Sequence, residues 1–106
     1  MISNEKLEKV LKYLAETDES YAHARHVVDS MKYKIKVIES QGFMKATGTM
    51  AERGAASKTT KEYIEAIEEM DNANLDKEIM GAKRETGRLI IEIWRSENAN
   101  RRQGNI

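Results

Sequence analysis

His23, His26 and Asp29 follow one another at intervals of three, and Glu19 precedes His23 by four. On a helix that spacing brings potential ligands onto one strip. No recognised zinc spacing accompanies them, and charged helices place these residue types on wet faces, so no metal site is expected. Glu65, Glu68 and Glu69 are carboxylates suited to acid–base or metal work, yet no Glu-x-x-His motif joins them and solvation accounts for them. Gly48 and Gly54 bound a short segment that lacks the Gly-Lys-Ser/Thr ending of a phosphate loop and follows no strand pattern. Ser57 and the two histidines have no nucleophile context. The absence of cysteine removes disulfides, thiolate metal sites and cysteine nucleophiles. The chain therefore reads as a protein that is not an enzyme and needs no cofactor.

Binding chemistry has better material. Arg88, Arg95, Arg101 and Arg102 surround Trp94, the only tryptophan, and Lys32, Lys34 and Lys36 surround Tyr33. Guanidinium and ammonium groups neutralise phosphates while an aromatic face stacks on an unpaired base, so single-stranded nucleic acid is a candidate ligand. The expected binding surface is Trp94, Arg95, Asn98, Asn100, Arg101 and Arg102, with Lys32, Tyr33, Lys34 and Lys36 as a secondary basic patch. Trp94 has a competing role in core packing, because Leu89, Ile90 and Ile93 share its helix. The formal net charge of zero hides a segregation. Residues 59–82 carry Glu62, Glu65, Glu68, Glu69, Asp71, Asp76 and Glu78 against Lys61 and Lys77, a balance of −5. Residues 83–106 carry six cations (Lys83, Arg84, Arg88, Arg95, Arg101 and Arg102) against Glu85, Glu92 and Glu97, a balance of +3. A helix so divided can pair antiparallel with a copy of itself or offer its basic end to a polyanion.

The elements that must carry these residues are helices. With 34% charged residues, 6% aromatics and no proline in 106 residues, the composition reads all-α, as one domain with a small core. Ser3 is placed to cap a short first helix on which Leu7, Val10, Leu11 and Leu14 share a face, ending near Glu16. Thr17-Asp18-Glu19-Ser20 is expected to cap a second helix running to about Gln41. Its Tyr21, Ala24, Val28, Met31, Ile35 and Ile38 are spaced 3, 4, 3, 4 and 3, the seam of a coiled coil. Gly42 and Gly48 bracket a break, Thr49-Met50-Ala51-Glu52 has the form of a capping box, and residues 42–59 form the expected hinge. A third helix begins near Thr59 or Thr60, with Leu75, Ile79, Ala82, Thr86, Leu89 and Ile93 as its second seam. At about 55 Å against about 35 Å for the second helix, it leaves surplus apolar surface. The architecture expected is a short helix plus an antiparallel long-helix hairpin, coiled-coil-like and homo-oligomeric, with an exposed tail at 98–106. Gly81 and Gly87 inside the third helix each cost about 1 kcal/mol relative to alanine, which close backbone approach would offset.

The stretch Ile93-Trp94-Arg95-Ser96-Glu97-Asn98-Ala99-Asn100-Arg101-Arg102-Gln103-Gly104-Asn105-Ile106 resembles a group of small, helical, uncharacterised bacteriophage and prophage proteins. Residues 13–21 and 49–53 extend the resemblance over most of the chain. It implies a product of an early phage region, near recombination and single-strand-binding functions, acting in the host cytoplasm; it brings no catalytic residues. The expectation is a non-enzymatic accessory protein of phage DNA recombination or replication, working through protein and single-stranded nucleic-acid contacts. Two alternatives are a counter-defence factor binding a host defence protein or a signalling nucleotide, and a structural oligomerisation module. No signal peptide is expected at Met1–Lys6, and no apolar run approaches the roughly 20 residues of a membrane span.

Overall fold

The computed structural model describes residues 1–104 as three helices: α1 (Asn4–Lys45), α2 (Met50–Ser57) and α3 (Lys61–Gly104). The all-helical reading holds, but the division into helices differs at both ends. The expected break near Glu16 is absent, and the short first helix and the second are one 42-residue helix. No glycine or proline interrupts residues 4–41. The Thr17 hydroxyl, which was to cap a new helix, instead donates to the Tyr13 carbonyl one turn back at 2.7 Å, so the helical ladder passes through it. α1 and α3, at 42 and 44 residues, are nearly equal, and the surplus length expected of the third helix disappears. Residues 98–104 are exposed in the main but helical, not a tail; Asn105 and Ile106 lie outside the described residues.

Local chemistry explains the helix ends. The Ser3 hydroxyl accepts from the Lys6 amide at 3.1 Å, as a cap should. After α1, Gly48 adopts φ 111°, a left-handed conformation that favours glycine. Thr49 then caps α2, its hydroxyl accepting from the Glu52 amide at 3.2 Å. Thr60 begins α3 in the same way, accepting from the Tyr63 amide at 3.1 Å. The segment expected as a hinge thus holds the end of α1, a short connection and α2.

The chain packs as two compact units: Met1–Ala22 with the chain from Glu78 onward, and His23–Lys77. In the second unit Val28, Ile35, Ala66 and Ser57 are buried. The seam expected on α1 turns inward, for Ala24, Met31 and Ile38 are half-buried beside Val28 and Ile35. Gly42 lets α2 approach α1, since a Cβ there would lie 3.2 Å from the Ser57 Cα. Arg53 closes the same contact, donating from Nε to the Phe43 carbonyl at 3.3 Å and covering the Phe43 ring at 4.6 Å.

In the first unit the start of α1 lies along the end of α3. Glu97 accepts from the Ile2 amide at 2.8 Å, Gly87 sits against Val10 and Leu14, and Gly81 against Tyr21. These contacts run in opposite senses along the two helices, so the pair is antiparallel. Both interior glycines mark close approach: an added Cβ would lie 3.2 Å from Val10 Cγ1 at Gly87 and 3.0 Å from the Tyr21 hydroxyl at Gly81. The seam expected on α3 is not the contact face. Leu75, Ile79, Ala82, Thr86, Leu89 and Ile93 are all exposed, because the glycines and Arg84 occupy the side that meets α1. No helix among the described residues is long and apolar enough to cross a membrane.

Candidate functional site

Continuation of α3 through Gly104 sorts the expected binding residues by face. Arg88, Arg95 and Arg102 recur every seven residues, which on a helix keeps them in a row that drifts by only about 20° per repeat. All three are exposed. Arg95 donates to Glu92 at 3.1 Å, an exposed pair one turn apart that is worth little and opens readily. Arg101 is rotated from Arg102 by about 100°, and its guanidinium donates to the Met1 sulfur at 2.9 Å. The two neighbouring arginines therefore do not form one cationic point.

Trp94 is half-buried. The Asn98 side chain donates to the Trp94 carbonyl at 2.9 Å and is half-buried itself, so its amide serves the helix backbone. Asn100 is exposed. Of the six expected residues, Arg95 and Arg102 share a face with Arg88, Trp94 and Arg101 share the adjacent one, and Asn98 is occupied. The secondary patch belongs to the other unit: Lys32, Tyr33, Lys34 and Lys36 are exposed on α1, with Tyr33 at 73%.

Two features of the first unit escaped sequence reasoning. Arg84, only 7% exposed, reaches across from α3 to α1 and donates to the Leu14 carbonyl at 3.0 Å, to the Thr17 hydroxyl at 2.6 Å and to the Asp18 carboxylate. Its guanidinium also lies 5.3 Å from the Tyr21 ring centre. The partners are 66 to 70 residues away in sequence, and no local pattern announces them. The second feature is a shallow groove where Lys6, Lys9 and Lys83 rim an apolar floor of Val10 and Ile90 beside Tyr13. Here the signal was present, because Lys6, Lys9 and Tyr13 follow a helical interval of three and four.

Among the described residues no group of three His, Cys, Asp or Glu side chains converges on a point where an ion could be held. His23, His26 and Asp29 are exposed, and the nearest partner of His26 is the Ser30 hydroxyl at 3.5 Å. Ser57 is buried, its hydroxyl donating to the Gly54 carbonyl at 2.7 Å, which ties it to the end of α2. In comparison with known proteins the chain matches no family, no curated protein and no solved structure.

Proposed function

We propose that this chain is a non-enzymatic accessory protein that contacts single-stranded nucleic acid through the arginine row of α3, in the setting of phage DNA recombination or replication that its C-terminal resemblance implies. The observation that carries the reading is the alignment of exposed Arg88, Arg95 and Arg102 on one helical face. A rigid helix spaces these charges about 10.5 Å apart, at 1.5 Å per residue. A flexible single strand can bring phosphates, though not successive ones, to charges so spaced. Trp94, half-buried on the adjacent face, anchors the helix that displays them. The antiparallel pairing of the start of α1 with the end of α3 is the scaffold for this face.

The test is fluorescence anisotropy with a short labelled single-stranded oligonucleotide across a salt series. Wild-type protein binds at low salt, and replacing Arg88, Arg95 and Arg102 together by alanine weakens binding and flattens its salt dependence by about 0.7 per lost phosphate contact. Arg101→Ala has the smaller effect, since Arg101 faces Met1. Binding that is undetectable at low salt, or unchanged in the triple variant, overturns the reading. Stoichiometric, nuclease-resistant capture of a host protein would then favour the counter-defence alternative.

A further inference from the structure

The outward side of α3 carries aliphatic side chains that its own unit does not cover. Ile79, Leu89 and Ile93 are 48%, 55% and 49% exposed. With the exposed Ala82 and Thr86 they step by 3, 4, 3 and 4 residues, the spacing of a helical seam whose fitting occupant is another helix. Arg84 and Gly87, the buried residues of this stretch, turn the opposite side of α3 toward α1. The strip is thus unpartnered within its unit, and a row of aliphatic side chains in water favours association.

We propose that the occupant is α3 of a second copy of this chain, running antiparallel, with the two-fold axis at the level of Arg84. About that axis the strip is self-complementary. Counted from Arg84, Ala82 and Thr86 each lie two residues away, and Ile79 and Leu89 each lie five. An antiparallel copy therefore stacks Ile79 on Leu89 and Ala82 on Thr86 in every layer, as an isologous interface requires. The small central pairs admit close approach, and the bulky pairs close the seam on either side.

Charge fits the same register. Turned about that axis, the acidic stretch 65–78 of one copy lies along residues 90–103 at the basic end of the other. The two Glu85 carboxylates meet near the axis, and each has Arg88 of its own chain three residues along the helix. This division of charge sets direction, while the apolar layers set register and supply the affinity.

The chain has no cysteine, so an introduced thiol reports on one place. Ala82→Cys and Thr86→Cys protein, mixed in equal amounts and oxidised without nucleic acid, should give the 82–86 heterodimer as the dominant cross-linked product. Adding Leu89→Lys to both should remove it. Circular dichroism confirms that these variants, all at exposed positions, remain helical. A monomeric mass by sedimentation equilibrium at tens of micromolar overturns the proposal, as does preferential cross-linking of each variant to itself, which marks a parallel pair. Neither outcome touches the arginine row, whose binding to an oligonucleotide is read separately.

Discussion

The two units of this chain close their helix contacts with different materials. In the His23–Lys77 unit the buried side chains of α1 and α3 are Val28, Ile35 and Ala66, aliphatic groups facing inward. In the unit that joins the start of α1 to the end of α3, the buried residues are Val10, Gly87 and an arginine. The first contact is apolar packing. The second is close backbone approach at glycine plus a buried cation that hydrogen-bonds the neighbouring helix. The difference has a structural cost and a structural benefit. Arg84 must be desolvated, and its Nε has no hydrogen-bond partner among the described residues. In return Ile79, Leu89 and Ile93 are left outward, free for another molecule.

The strongest way to break this contrast is in the apolar unit. Ile35, at 8% exposure, replaced by Asp should lower stability by about 4 kcal/mol, combining lost packing with an unpaired buried carboxylate. Chemical denaturation would measure it, and a loss under about 1 kcal/mol would mean that Ile35 is not core. In the other unit Arg84→Ala should cost about 2 kcal/mol, the scale of hydrogen bonds from a charged donor. Asp18 adds little to that figure because its side chain is 66% exposed. Arg84→Lys should not rescue, since one ammonium cannot reproduce the planar fork that reaches Leu14, Thr17 and Asp18 together.

Glycine substitutions sharpen the comparison at smaller cost. At Gly42 the obstacle is the Ser57 backbone at 3.2 Å, and at Gly87 it is the end of the Val10 side chain at the same distance. Alanine gains about 1 kcal/mol of helix propensity in either place. Crowding against backbone should outweigh that gain by about 1 kcal/mol at Gly42. At Gly87 the side chain can give way and the net effect should be nearer zero. Thermal unfolding of the two variants side by side decides the ranking, and Gly87→Ala proving the more damaging would reverse it.

The legibility of the fold follows from the same contrast. The α1 seam through Val28 and Ile35 was readable because apolar periodicity and burial coincide there. On α3 the periodicity of Ile79, Leu89 and Ile93 is equally regular, yet it marks the outward side. A pattern of aliphatic residues identifies a face that seeks a partner and does not say which partner. The inward side was written in Gly81, Gly87 and Arg84, and only the suggestion of close approach at the glycines was accessible locally. Thr17 was misleading for a related reason: a hydroxyl that can cap a helix can also bond back to the carbonyl one turn earlier. At the candidate site the residue types were readable, but their sorting into faces depended on α3 remaining helical through Arg101 and Arg102.

The central claim is that α3 uses one side to fold the chain and the other to meet a second copy. Thermal unfolding of wild type and Leu89→Lys over a hundredfold range of protein concentration tests it most directly. Because Leu89 is 55% exposed, the substitution should change stability by no more than about 0.5 kcal/mol at the lowest concentration. The wild-type Tm should rise with concentration, as mass action demands when only the folded chain associates, while that of Leu89→Lys stays flat. A wild-type Tm independent of concentration would contradict the outward role, and a Leu89→Lys chain already destabilised when dilute would show that Leu89 belongs to the fold of its own chain.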